Sequence, residues 1–311
     1  MRVAGIDCGT NSIRLLIADY QDGRLTDLVR EMKIVRLGQD VDKTGRLADE
    51  ALERTFAAID DYARAIKEHQ VQKVAFVATS ASRDAENAAE FVAGVEARLG
   101  IKPAVISGHT EASLSFLGAS SGLPTDLPLP KLVVDIGGGS TEFAFGAEEL
   151  ESAISVDMGC VRVTERFAGK VNEAPAREFV QALLTEVEKV IDLGKVKTLV
   201  GLAGSVTSLT ALALGLDSYQ PEKIDGTFLS VPEIRQTTER MRLATPEEKA
   251  QMGFLHPQRA DVIGAGALIW EEIVTQVADR VRQAGGELTG AYTSEHDILD
   301  GIALGVATGK L

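Results

Sequence analysis

DIGGGSTE, residues 135–142, leaves the apolar run Leu132-Val133-Val134 with a carboxylate, passes three consecutive glycines and two hydroxyls, and ends on a second carboxylate. A strand ending this way sets Asp135 at its C-terminal edge, followed by a loop that can bend back and aim several backbone N–H groups at one point. Such a concavity suits phosphate, and glycine is needed because larger side chains block close approach of the backbone. Asp135 and Glu142 repel a phosphate directly but can hold Mg²⁺, which bridges acid and anion. Taken alone, a glycine cluster marks a plain hairpin turn more often than a site.

A second copy argues against the plain turn. IDCGTNS, residues 6–12, also leaves an apolar strand with Asp-x-Gly and continues with hydroxyl and amide residues into another apolar strand. Asp7 and Asp135 are 128 positions apart (135 − 7), as are Gly9 and Gly137 (137 − 9). KVAFVATSASRD and KTLVGLAGSVTS repeat at a nearby offset, 125 from Thr79 to Gly204 (204 − 79). Two matches at nearly one offset point to duplicated halves. Strands at Val3–Ile6, Arg14–Asp19 and Lys73–Ala78 alternate with helical spacing at Ala51, Leu52, Phe56, Ile59, Ala63 and Ile66 and a helix over Glu86–Leu99, an α/β pattern.

The three prolines of SSGLPTDLPLPK, residues 120–131, mark a boundary between a domain over 1–125 and one over 126–295. A final helix within 296–311, with Ile298, Leu299, Ile302 and Val306 on one face and Gly301 and Gly305 one turn apart, is expected to return to the first domain. Two facing acid-led loops then make an interdomain cleft.

At 311 residues the chain exceeds what one core supports. With 45% hydrophobic and 25% charged residues it reads as soluble and globular, and no apolar run reaches a membrane span or a signal core. It is expected to be cytoplasmic. Cys8 and Cys160 form neither a disulfide framework nor a metal motif. A net charge of −14 disfavours nucleic acid and anionic membranes as partners, so attraction for an anionic substrate must be local.

The remaining loops supply candidates. ATSASRDAENA follows a strand, and Arg83 there offers a bidentate fork for phosphate; an ordinary helix entry explains the stretch equally well. In ISGHTEASLSFLG, Glu111 lies in a first helical turn, where a helix dipole alone favours it; its functional reading is a general base. GLAGSVTSL adds Gly204 and Ser205 as phosphate contacts, and DMGCVRVTE puts Arg162 just inside a helix. Thiol reactivity at either cysteine would need an exposed, electropositive setting.

In order, GIDCGTNSIRLLIAD, ATSASRDA, ISGHTEA, VDIGGGSTEF, DMGCVRVTE, GLAGSVTSL and RADVIGAG resemble the exopolyphosphatase/guanosine pentaphosphate phosphohydrolase family, from Val3 to about Gly305. The resemblance implies two duplicated ribonuclease-H-like domains of the actin-like, sugar-kinase and Hsp70 superfamily, and hydrolysis of a terminal phosphoanhydride in the cleft. It makes Glu111 the catalytic glutamate, although Thr110 replaces the acidic neighbour of the family's motif. It gives Asp135 and Glu142 to Mg²⁺, or Mn²⁺ in its place, with Asp7 assisting. It assigns phosphate binding to Gly137, Gly138, Gly139, Ser140 and Thr141, and in the first loop to Gly9, Thr10, Asn11 and Ser12. Arg14, Arg83 and Arg259 are candidates for substrate recognition.

Long family members carry a further helical domain; this chain stops at Leu311 and is acidic, so short polyphosphates are the expected substrates. Removal of the 5′ phosphate of guanosine pentaphosphate is the second reading. An ATP-dependent small-molecule kinase is a third, with GAGALIWEEI, residues 264–273, as the adenosine loop, although a glycine-smoothed packed helix explains that stretch better. A nucleotide-binding scaffold without turnover is a fourth. A homodimer is left open.

Overall fold

The computed structural model describes residues 1–172 and 174–311, which divide into two compact units: Met1–Ser121 with Asp297–Leu311, and Gly122–His296. In the first unit, β1 (Arg2–Cys8), β2 (Ser12–Gln21) and β3 (Arg24–Ile34) form an antiparallel meander, followed by α1 (Val41–Thr44) and α2 (Asp49–Glu68). Then come β4 (Lys73–Ala78), α3 (Ser80–Asp84), α4 (Ala88–Leu99), β5 (Ala104–Val105) and α5 (Gly108–Gly122). The sheet order is β3-β2-β1-β4-β5, with β1, β4 and β5 parallel.

The second unit repeats this plan. β6 (Lys131–Ile136), β7 (Thr141–Gly146) and β8 (Leu150–Val156) form the meander, followed by α6 (Cys160–Arg166) and α7 (Ala174–Glu188). Next are β9 (Thr198–Leu202), α8 (Ala203–Ala213), α9 (Pro221–Ile224), β10 (Phe228–Ser230), α10 (Val231–Leu243), α11 (Pro246–Ala250), α12 (Ile263–Gln283) and β11 (Gly290–Thr293). The sheet order β8-β7-β6-β9-β11-β10 is that of the first unit with one antiparallel edge strand added. The mixed α/β class and the duplication expected from the sequence are both present. The sequence pattern missed the third meander strands, β3 and β8, because both are edge strands with a mostly exposed or half-exposed face and no clean apolar alternation.

β1 and β6 are covered on both faces and read as near-continuous apolar runs, as central strands do. On one face of the first sheet α2 lays down Leu52, Ile59 and Tyr62 against Ile6, Ile13 and Leu15, and the Tyr62 hydroxyl donates to the Ile13 carbonyl at 3.0 Å. The opposite face carries α13 (Ile298–Thr308), whose Leu299, Ala303 and Val306 pack on Val3, Leu16 and Ala18. Its other side meets Ile106 and Leu114 through Ile298 and Ile302, so the helix is buried all round rather than on one stripe. Gly301 makes this approach possible: a Cβ there would stand 2.1 Å from the Leu114 carbonyl oxygen of α5.

Two local expectations change. The helix expected over Glu86–Leu99 begins at Ala88, because Ala85 is extended and separates it from α3. The Asn87 side chain, which precedes it, instead pins the Leu47 backbone through both its oxygen and its nitrogen. GAGALIWEEI is the buried first half of α12, with Trp270 packed over Gly201, so it forms no loop that could line a nucleotide. Among the described residues no helix is long and apolar enough to cross a membrane.

Candidate active site

Each meander turns between its first two strands through one of the acid-led loops, and the two turns match bond for bond. Gly9 N donates to the Ser12 carbonyl at 3.0 Å, and Gly137 N to the Ser140 carbonyl at 3.0 Å. The glycine cluster of DIGGGSTE is therefore a hairpin turn, and an acid stands at the same register on both sides of the duplication: Asp7 at the end of β1 and Asp135 at the end of β6.

Their cross-strand partners differ. Asp135 faces Glu142 across β6 and β7, both nearly without solvent exposure (6% and 2%), and Ser155 Oγ donates to Glu142 Oε1 at 2.7 Å. Asp7 faces Arg14, whose Nη2 and Nε donate to Asp7 Oδ2 at 2.7 and 3.0 Å, while Nη1 donates to Asp297 Oδ2. Burial pushes the Asp7 carboxyl up, against the pull of Arg14 and with a further push from Asp297. Arg14, a candidate for substrate recognition, is thus a strut joining the first loop's acid to Asp297, the residue that caps α13 through Leu299 N at 2.9 Å. Asp297 was not singled out by the sequence, and nothing local marks it apart from the capping pattern Asp297-x-x-Asp300.

The segment after each third strand crosses back over its loop. In the second unit the first amides of α6 take the loop's carbonyls: Cys160 N to Gly137 O at 3.0 Å, Val161 N and Arg162 N to Gly138 O at 2.9 and 3.1 Å. Thr141 Oγ1 also donates to the Met158 carbonyl. In the first unit Gly38 N donates to Thr10 O at 2.9 Å, and Val35 N and Arg36 N to Asn11 O at 3.0 and 2.9 Å. The crossing residues form a third internal repeat, Val35-Arg36-Leu37-Gly38 and Val156-Asp157-Met158-Gly159, offset by 121 (159 − 38). This signal was readable in the sequence, but only two of its four positions are identical, in a stretch too short to stand out.

Glu111 lies in the first turn of α5, buried to 8% exposure. Arg83 Nη1 donates to its Oε2 at 3.3 Å and to the Ile106 carbonyl at 3.0 Å, so the phosphate contact expected of Arg83 is at present an ion pair with the candidate base. Thr110, at the position where the resembling family has an acid, shares a 3.0 Å hydrogen bond with Ser107 Oγ at the helix start. Beside the first loop, Thr10 Oγ1 and Ser80 Oγ are 2.8 Å apart.

In the second unit Arg259 packs its guanidinium onto Gly204, where a Cβ would fall 1.3 Å from Nη1. Ser205 hydrogen-bonds the Cys160 thiol; burial pushes that thiol's pKa up, against the pull of Arg259 and Ser205. Cys8 is pushed well up by burial and by Asp7. Both cysteines are buried neutral thiols, which rules out the exposed, electropositive setting a redox role requires.

Within the second unit the structure thus brings Asp135, Glu142, the three glycines and Thr141 onto one hairpin, with Ser205 and Arg259 grouped around Cys160 of the overlying helix. Within the first it brings Asp7, Arg14 and Asp297 together, and separately Arg83 and Glu111.

A sequence profile of the Ppx/GppA phosphatase family matches residues 16–285. The chain belongs to the Ppx/GppA phosphatase family. Exopolyphosphatase 2 of Mycobacterium tuberculosis is 43% identical to it, over 98% of each chain. Among solved structures, an exopolyphosphatase-like protein is similar with a TM-score of 0.92 and 42% identity, covering 97% of this chain and 96% of that one. A Ppx/GppA enzyme of Aquifex aeolicus is similar with a TM-score of 0.79 and 31% identity, covering 98% and 99%. Membership in the Ppx/GppA phosphatase family makes the chain a phosphoanhydride hydrolase by class.

Proposed function

We propose that this chain is an exopolyphosphatase that hydrolyses the terminal phosphoanhydride of inorganic polyphosphate, favouring short chains. The observation that carries the reading is the buried Asp135–Glu142 pair set opposite each other at the mouth of a glycine hairpin. Two carboxylates so placed gain nothing from each other and gain much from a hard cation. The name of the Mycobacterium tuberculosis relative supports the same substrate.

The donor set suits Mg²⁺, with Mn²⁺ as its substitute. Both side chains offer oxygen, the ligand type of hard cations that keep part of their shell as water or phosphate oxygens. Bound there, the cation would supply charge neutralisation for phosphoryl transfer. The carbonyls of Gly137 and Gly138 are already taken by α6, so the N–H groups of the hairpin are what it offers an anion. Glu111, steadied by Arg83, orients a water and takes its proton as the water oxygen attacks the terminal phosphorus. The bridging P–O bond breaks, and orthophosphate leaves with a chain shorter by one unit. The acidic net charge, −14, supplies no broad grip on a long polyanion, which supports the preference for short chains.

A phosphate-release panel with and without Mg²⁺, covering triphosphate, short and long polyphosphates, guanosine pentaphosphate and ATP, tests the reading. Mg²⁺-dependent release that is fastest with short polyphosphates is expected. Release confined to guanosine pentaphosphate would replace the substrate, faster turnover as chains lengthen to hundreds of units would overturn the length preference, and no release would overturn the reading.

A further inference from the structure

The crossing of Gly159 over the glycine hairpin does more than pack two segments. A trans peptide points its C=O and its N–H in opposite directions, so whatever holds a carbonyl also aims the next residue's amide. Cys160 N holds Gly137 O, which turns the Gly138 N–H away from α6; Val161 N and Arg162 N hold Gly138 O, which turns the Gly139 N–H away likewise. The first turn of α6 can come this close only because residue 159 has no side chain. A Cβ there would stand 2.1 Å from Gly138 O, 2.2 Å from Gly138 C and 2.4 Å from Gly139 N.

The first unit also crosses its loop through a glycine, with a different bonding pattern. A Cβ on Gly38 would stand 2.4 Å from Thr10 Cγ2, and Gly38 N holds Thr10 O. The glycine at the crossing and its place after the third strand are shared, but the capturing amides are not: in the first unit they belong to Val35, Arg36 and Gly38, at and before the glycine, and in the second to Cys160, Val161 and Arg162, after it.

We infer that Gly159 is a positioning residue: it lets α6 lock the hairpin with two amides preset as phosphate donors, so that affinity for a phosphate chain depends on a residue that never touches it. The inference rests on the phosphate-chain reading above and adds to it the element that sets the hairpin's donors.

The test compares Gly159→Ala with Gly290→Ala in the full chain. Gly290 is equally crowded, with a Cβ position 2.1 Å from the Leu229 carbonyl, but lies on the β10–β11 edge of the same unit. Tripolyphosphate binding is measured by calorimetry in a Glu111→Gln background with Mg²⁺, alongside thermal melting. Both substitutions are expected to lower the melting temperature, and only Gly159→Ala to weaken tripolyphosphate binding, by about 10- to 100-fold, the weight of misplacing one or two charge-assisted hydrogen bonds. A second pair guards against a misfolded variant. Cys160→Pro deletes the N–H that holds Gly137 O at a first helical position that tolerates proline, after an extended Gly159, whereas Cys160→Ala removes only the thiol. The proline variant is expected to bind more weakly than the alanine variant. Wild-type affinity in both Gly159→Ala and Cys160→Pro would overturn the inference alone. A parent that neither binds nor, with Glu111 restored, hydrolyses tripolyphosphate would overturn the functional reading, and the inference with it.

Discussion

Arg83 holds Glu111 by a single guanidinium nitrogen, 3.3 Å from Oε2, and the same nitrogen donates to the Ile106 carbonyl at 3.0 Å. The contact ties the carboxylate at the first turn of α5 to the segment that ends β5. Glu111→Gln keeps an acceptor oxygen for Arg83 and loses only the capacity to take a proton. The variant is expected to fold and bind tripolyphosphate as the parent does while kcat falls by about 10²- to 10⁴-fold, the weight of a positioned base. Undiminished phosphate release would remove Glu111 from that role.

Arg14 bridges two buried carboxylates, Asp7 and Asp297, which belong to the first hairpin and to the cap of α13. Arg14→Met leaves both acids buried beside each other without the guanidinium, a change that costs about 3–5 kcal/mol when a buried ion pair loses one member. Chemical denaturation should show that loss. Asp7→Asn combined with Arg14→Met should recover part of it, since one of the two stranded charges is gone. A melting curve for Arg14→Met that overlays the parent's would show that the strut contributes little.

The duplicated plan was legible in the sequence because it is written in short loops whose chemistry tolerates few alternatives: Asp7-x-Gly9 and Asp135-x-Gly137 at one offset, with Thr79 and Gly204 close behind. The partners of those loops were not. Arg14 and Glu142 sit at the same register opposite their acids, one an ion-pair partner and the other a second carboxylate, and that opposition comes from strand pairing rather than from a motif. Asp297, which completes the Arg14 strut, is 283 residues away from it in sequence. The crossing glycines Gly38 and Gly159 were legible only as a short, weak repeat, because edge strands β3 and β8, which deliver them, carry little apolar periodicity. Helix α13 showed one apolar stripe in the sequence and proved to be buried on all sides, since Gly301 hides a face that has no side chain to read.

That hidden face gives a direct comparison. A Cβ on Gly301 would collide with backbone, 2.1 Å from Leu114 O and 2.8 Å from Leu114 C, whereas the nearest atoms to a Cβ on Gly305 belong to the Leu311 side chain. Backbone cannot step aside as a side chain can, so Gly301→Ala is expected to destabilise by about 1–3 kcal/mol, as overpacking does. Gly305→Ala should be nearly neutral, and a gain in helix propensity could make it stabilising. Thermal melts of the two variants side by side decide it, and equal losses would contradict the packing described for α13.

Glu271 ties three helices of the second unit together, accepting from Arg177 of α7 at 3.0 Å, and from Thr238 and Arg242 of α10 at 3.0 and 2.9 Å. Burial pushes its carboxyl up, but the hydrogen bond from Arg177, the charge of Arg242 and the bonds from Thr238 and Arg242 outweigh it, so the group lies below its ordinary 4.5. A carboxyl lowered on folding contributes stability that is fully present above its unfolded value and is lost as pH falls through the folded one. Glu271→Gln should therefore cost about 3 kcal/mol near neutral pH and progressively less as pH is taken to about 3. Denaturation curves at several pH values would show the parent and variant converging in acid; a constant difference would assign the loss to packing instead.

The Asp135–Glu142 pair makes a prediction about the protein without any substrate. Two carboxylates buried on neighbouring strands at one register repel each other, and a divalent cation between them turns repulsion into attraction. Anything that binds only the folded state stabilises it by mass action, so Mg²⁺ or Mn²⁺ alone should raise the melting temperature of the parent. Glu142→Gln removes one of the two charges while keeping an oxygen for Ser155, so the metal-induced rise should disappear even if the metal-free protein becomes no less stable. Mn²⁺ titration followed by electron paramagnetic resonance gives an independent reading of the same site, with bound metal in the parent and weaker binding by about 10-fold or more in Glu142→Gln and in Asp135→Asn. Unchanged Mn²⁺ affinity in both variants would place the ion elsewhere and leave the acid pair without its proposed task.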